Sequence, residues 1–316
     1  MRGTSRVSGG TVQRVFRASR VQVLVAVLAL SWVVRPGEAQ STSGQAAVEG
    51  RQIVLVTGST DGLGREVALR IAATGAHVIV HGRNLERGAE VVAQIEAGGK
   101  GTARFYPADL ASVAGVRAFG EAILRDYSRL DVLINNAGIA LFGQEERLLS
   151  PDGQELHFAI NYLAGFQLTH MLLPVIRSSA PARIINVASI GQAPLDFDNI
   201  TLDRGYTVNR AYGQSKLAQI MFTIDLAHEL EGTGVVVYSV HPATLMNTSM
   251  ILEAGIQPRS TIDDGASAVT YLVTTPGLDS GQFFNQMTPA RANAQAYDAE
   301  VRARLRTLSE KLTGTG

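Results

Sequence analysis

The stretch Ile53-Val54-Leu55-Val56-Thr57-Gly58-Ser59-Thr60-Asp61-Gly62-Leu63-Gly64 decides the fold. A short β-branched run ends in a glycine-rich turn, and an amphipathic segment follows, so the reading is strand, turn, helix. Glycines let the backbone turn tightly and approach a pyrophosphate, and a helix start offers unpaired N–H groups with a partial positive charge. In a chain of 32 glycines such a turn could be a plain tight loop. Its place between the first strand and the first helix favours phosphate binding. Gly58, Ser59, Asp61, Gly62, Leu63 and Gly64 are the candidate contacts.

Outward from this turn, β-branched runs alternate with longer segments carrying apolar residues at three- and four-residue steps. Candidate strands are Ile53–Thr57, His77–His81, Ala103–Pro107, Val132–Asn135, Arg183–Val187, Val235–Val240 and a short one at Gln282–Asn285. Strand–helix alternation with near-continuous apolar strands predicts an α/β fold. We expect one doubly wound Rossmann domain over residues 51–316, with a parallel sheet of about seven strands and helices on both faces. Ligands then bind beyond the carboxyl ends of the strands.

The 316 residues carry no net charge, which leaves no broad field for nucleic acid. No cysteine is present, which excludes thiol catalysis and cysteine metal sites, and the six histidines show no metal spacing. Five arginines precede an uncharged stretch from Val21 to Val34, with no acid before Glu38. Residues 1–39 therefore read as a signal peptide or N-terminal anchor, and 40–50 as a linker. A true signal implies export or membrane association; an over-extended start implies a cytoplasmic protein.

The second strand ends His81-Gly82-Arg83-Asn84, with no carboxylate to hold an adenosine ribose. Arg83 offers a planar fork for a 2′-phosphate, so NADP(H) is favoured over NAD(H), with Asn84 beside it. Further on, Tyr212 and Lys216 stand four residues apart at the start of what reads as an amphipathic helix, and so share a face. A phenol near pKa 10 needs roughly 4 kcal/mol of phenolate stabilisation to work at neutral pH, and an ammonium has the right sign. The chain has only three lysines, Lys100, Lys216 and Lys311, against 25 arginines, which makes this placement improbable by chance.

The spacing of Gly58, Gly62 and Gly64 matches the T-G-x-x-x-G-x-G of short-chain dehydrogenases/reductases, and with Tyr212-x-x-x-Lys216 the chain resembles that family over about Gln52 to Leu312. The long Gln192–Arg210 loop between Ser189 and Tyr212, and the tail, are similar to the retinol-dehydrogenase-like and WW-domain-oxidoreductase-like branch. The resemblance implies that Tyr212 transfers a proton, Ser189 holds the substrate oxygen, Lys216 lowers the phenol pKa and orients the ribose, and Asn161 holds a relay water. It also implies that Asp109, with Leu110, contacts adenine, and that Asn136, Ala137 and Gly138 of the N-N-A-G segment line the cofactor. Where the family has Pro-Gly before a nicotinamide-contacting threonine, this chain has Pro242-Ala243, leaving Thr248 or Thr244 for that role.

The implied reaction is NADP(H)-dependent interconversion of a carbonyl and an alcohol, and family members often form homo-oligomers. Met246 to Ile256 reads either as a lid on an apolar substrate pocket or as surface packing. Two rivals remain. A serine hydrolase needs G-x-S-x-G, and Ser189 and Ser215 each lack a flanking glycine. A cofactor-binding sensor or scaffold without turnover needs only the glycine loop.

Overall fold

The computed structural model describes residues 48–315. The expected signal or anchor at 1–39, and most of the linker, lie outside them. Eight strands form one sheet in the order β3-β2-β1-β4-β5-β6-β7-β8. These are β1 (Ile53–Val56), β2 (His77–Gly82), β3 (Thr102–Pro107), β4 (Val132–Asn135), β5 (Ala182–Val187), β6 (Val235–His241), β7 (Phe283–Asn285) and β8 (Thr288–Ala290). The first seven run parallel, and β8 turns back antiparallel on β7. The expected seven-strand sheet therefore gains one edge strand. Pro289 sits in it, as suits an edge, where a missing N–H breaks no inner ladder.

Helices cover both faces: α1 (Gly62–Ala72), α2 (Leu85–Ala97), α3 (Val113–Asp126), α4 (Ala164–Ser178), α5 (Val208–Glu229), α6 (Ser249–Glu253), α7 (Ile262–Thr274) and α8 (Ala299–Thr313). β1 shows why its strand is apolar throughout. Ile53 and Leu55 join one core, and Val54 and Val56 join the other on the opposite face. Alternate side chains of a strand point to opposite faces, so a doubly covered strand needs apolar residues at every position. The chain reverses its winding between β1 and β4, and a crevice opens there at the carboxyl ends.

Two local readings change. The segment bearing Asn161 is a single π-helical turn, Phe158–Leu163, running into α4. Such turns inside helices are often found at functional sites. And α5 is not amphipathic around Lys216: every residue from Gly213 to Thr223 is buried. One side of this part of the molecule is closed by α8, whose Ser309 bonds Tyr162 at 2.7 Å and whose Arg306 pairs with Asp225 at 2.6 Å. The apolar stretch Phe158–Ser178 is long enough to cross a membrane, but 67% of its spanning window is buried inside the domain, where it packs as a core helix.

Candidate active site

The glycine-rich loop is held from three sides. Thr57 Oγ1 accepts the N–H groups of Asn136 and Ala137, each at 3.0 Å. Asn136 Nδ2 donates to the Thr57 and Gly58 carbonyls at 2.9 and 3.1 Å. From β2, His81 Nδ1 accepts the Gly58 N–H at 3.0 Å. Gly58 and Gly62 take φ of +65° and +52°, the region that favours glycine. Gly64 has a different reason: a Cβ there would lie 2.2 Å from the Gly58 carbonyl oxygen and 2.4 Å from Asn136 Nδ2.

This cradle suits a pyrophosphate. The first bond that returns into α1 is Arg65 N–H to the Asp61 carbonyl, which leaves the Leu63 and Gly64 N–H groups at the helix start for an anion. Asp61 caps α1 by accepting from the Gly62 N–H at 2.8 Å, and its other oxygen takes Ser249 at 2.6 Å and Arg87 at 3.1 Å. Burial works against ionisation there, but the bonds from Ser249 and Gly62 and the Arg87 charge hold the carboxyl below its ordinary range.

Arg83 lies exposed just past β2, and Asn84 caps α2 by accepting the Arg87 N–H at 2.9 Å. Asp109 accepts the Ala111 N–H at 3.1 Å beyond β3, with Leu110 buried beside it. All of these stand at the carboxyl ends of the strands.

The remaining candidates converge behind Gly138. A Cβ on Gly138 would sit 3.1 Å from Asn161 Oδ1 and 3.6 Å from Lys216 Nζ. Lys216 Nζ lies 5.6 Å from the Tyr212 ring centre. Ser189, 7% exposed, accepts the Gly191 N–H at 3.0 Å and faces the Tyr212 hydroxyl closely enough to act on its ionisation. Burial raises the Tyr212 phenol above its ordinary pKa, and Ser189 opposes that only partly. Burial also pushes Lys216 down to about 7. Both shifts have one cause: desolvation disfavours the charged form of the phenol and of the ammonium alike.

Both N–H groups of the Asn161 amide are engaged, and its oxygen accepts one bond. Its Oδ1 accepts the Ile139 N–H at 2.7 Å, and its Nδ2 donates to Ile139 O and Ser215 Oγ, both at 3.0 Å. It clamps the loop after β4 onto α5.

Of the two threonines, Thr248 sits over the glycine loop, its Cγ2 3.3 Å from the position of a Gly62 Cβ. Thr244 turns the other way and bonds His241 Nε2 at 3.0 Å. Sequence reasoning missed His81, although it ends the strand that was read for cofactor choice. It also missed Glu155 and His157, bonded to each other at 2.8 Å, with the His157 ring edge-on to Tyr212 at 6.4 Å. Neither pair partner carries a recognisable spacing.

Comparison with known proteins agrees with this arrangement. A family model described as short chain dehydrogenase matches residues 52–257. Human retinol dehydrogenase 11 is 34% identical over 276 residues, covering 83% of this chain and 86% of its own, and human retinol dehydrogenase 14 is 34% identical over 291 residues, with the same coverage. Among solved structures, a short chain dehydrogenase from Pseudomonas syringae superposes with TM-score 0.61 at 30% identity, covering 76% of this chain and 96% of its own. A metagenomic short-chain oxidoreductase in complex with NADP gives 0.59 at 26% identity, covering 76% and 97%. By sequence and by fold alike, this chain belongs to the short-chain dehydrogenase/reductase family of NAD(P)-dependent oxidoreductases, in its retinol-dehydrogenase-like branch.

Proposed function

We propose that the protein interconverts a carbonyl and an alcohol with NADP(H), Tyr212 being the proton-transferring group. The observation that carries this reading is the convergence of Ser189, Tyr212, Lys216 and Asn161 on one wall of the crevice, facing the loop that would hold the pyrophosphate. When bound, the nicotinamide supplies or accepts the hydride. The Leu63 and Gly64 amides would hold its phosphates, Arg83 its 2′-phosphate and Thr248 its carboxamide end, while Asp109, Leu110, Asn136, Ala137 and Gly138 line its length. Ser189 positions the substrate oxygen against the Tyr212 hydroxyl, and Tyr212 gives that oxygen a proton in reduction and takes it back in oxidation. Lys216 orients the ribose and biases the phenol toward its anion.

The preference for NADP(H) rests on Arg83 and on the absence of an acid at the β2 turn. Asp61 in the glycine loop is itself paired with Arg87.

The test is an assay of NADPH and NADH oxidation over a panel of aldehydes and ketones. Tyr212→Phe should lower turnover by about a thousandfold or more with cofactor binding retained, in line with the size of general acid–base effects. Arg83→Gln should weaken NADPH by about tenfold and leave NADH unchanged. Tight NADPH binding with no turnover on any carbonyl would instead make the protein a sensor or scaffold. For compartment, we propose export or membrane association through residues 1–39; sequencing the mature amino terminus after cell fractionation decides it, and an intact terminus in the cytosol refutes it.

A further inference from the structure

Lys216 is 5% exposed, yet no carboxylate holds its charge among the described residues. Its Nζ donates to the Val187 carbonyl at 2.9 Å and to Gln219 Oε1 at 3.0 Å. Gln219 is itself 3% exposed, one turn further along α5. Its main-chain carbonyl accepts Thr223 Oγ1 at 2.9 Å, Thr223 accepts from Asn186, and Asn186 accepts from Asn135, so the turn is tied across two strands. The main chain that carries this glutamine is therefore tied by a buried chain of hydrogen bonds reaching the N-N-A-G segment.

We propose that Gln219 is a positioning residue for Lys216: with the Val187 carbonyl it takes two of the three ammonium N–H groups and leaves one for the cleft between Gly138 and Tyr212. The chemistry requires a neutral acceptor. A carboxylate at 219 would hold the ammonium but cancel its charge at the phenol, and an apolar side chain would leave a buried cation with a single oxygen. Glutamine fixes the direction of the ammonium without adding a charge of its own. The titratable groups facing Lys216 are Tyr212 from the same helix and His241 from the end of β6, which burial, with the Lys216 charge adding, pushes down to about 4. His241 is thus neutral near pH 7, and Gln219 is the side chain that sets the ammonium's orientation.

The inference rests on the proposed role of Lys216 toward cofactor and phenol, so its test reads the two separately. NADPH affinity is measured by fluorescence titration without substrate, and the pH dependence of kcat/KM is measured for oxidation of the best alcohol of the panel. Gln219→Leu, close in size, should bind NADPH about tenfold more weakly and move the limb of the profile to higher pH, because a hydrogen bond to a charged group is lost. Gln219→Glu keeps an acceptor and should bind NADPH within about twofold of wild type, while the added negative charge moves the limb to higher pH. Wild-type affinity and wild-type limbs in both variants would reduce Gln219 to packing and overturn the proposal. If Gln219→Leu does not fold, Gln219→Asn decides, since it keeps a neutral acceptor but withdraws it from the ammonium: weaker NADPH binding with a displaced limb supports positioning, and wild-type affinity and limbs refute it. If the wild type oxidises no alcohol, the proposed reaction fails, and the NADPH titrations still show whether Gln219 holds Lys216.

Discussion

The two halves of the crevice are built by different means. On the cofactor side, the loop after β1 is held by neighbours close to the strand ends: Thr57, Asn136 and His81 fix it through backbone groups. On the substrate side, the segment from Gln192 to Arg210 has no sheet to rest on and is tied to distant chain. Gln295 Oε1 accepts the Leu195 N–H at 2.7 Å and its Nε2 donates to the Leu195 carbonyl at 3.2 Å. Gln192 Oε1 accepts the Asn293 N–H at 2.7 Å, and its Nε2 reaches back to Ser189 O at 2.9 Å. Arg210 holds Asp196, and Arg304 of α8 holds Asp198. The difference teaches that the wall proposed for the cofactor is a cradle held by local bonds, whereas the wall proposed for the substrate is set by which remote segments are recruited to brace it.

The contrast can be broken most sharply at Gly64. A Cβ there meets backbone at 2.2 Å, which no side-chain adjustment relieves, so Gly64→Ala should cost about 3 kcal/mol of stability and weaken NADPH binding at least a hundredfold. Chemical unfolding and a fluorescence titration measure both. Near-normal binding would show the cradle to be pliable.

A smaller effect sharpens the comparison by pH. Burial pushes His81 down to about 4, below the ordinary 6.5, so the folded state disfavours its protonation. Between those values the unfolded chain binds more protons than the folded one, and stability must fall as pH drops from about 6.5 toward 4. For His81 alone this is about 2 kcal/mol between pH 7 and pH 5. His81→Gln keeps an acceptor for the Gly58 N–H but does not titrate, so its loss over the same range should be less by about that amount. Equal losses in the two proteins would remove His81 from the account.

The smallest change is expected on the other wall. Gln295→Ala removes both bonds to Leu195 and should cost about 1 kcal/mol, with a few-fold higher KM for the carbonyl and unchanged NADPH affinity. A change in NADPH affinity would mean that the two walls are not independent.

How much of this was legible in the sequence follows the same division. The turn at Gly58–Gly64, the strand ends at Arg83 and Asp109, and the pair Tyr212 and Lys216 are local patterns, and their chemistry depends on spacing along one strand or one helical turn. The eighth strand escaped notice because Thr288–Ala290 is three residues long and holds a proline. The π-helical turn at Asn161 escaped because it is a one-residue excess in a helix, which leaves no mark on apolar periodicity. Sequence favoured Thr248 over Thr244 without showing which faces the loop; in the structure Thr248 lies against Gly62 and Thr244 is bonded to His241.

By itself, the sequence determined the doubly wound fold, the glycine-rich turn and the tyrosine–lysine pair, because apolar period, glycine spacing and a four-residue step act over distances that the chain spans locally. Only the tertiary structure decided that Lys216 is stripped of water and held by neutral oxygens, that burial raises the Tyr212 phenol, and that the segment after Ser189 leans on residues about a hundred positions away. Desolvation and long-range hydrogen bonds depend on what packs around a group, and that is set only when the whole chain has folded.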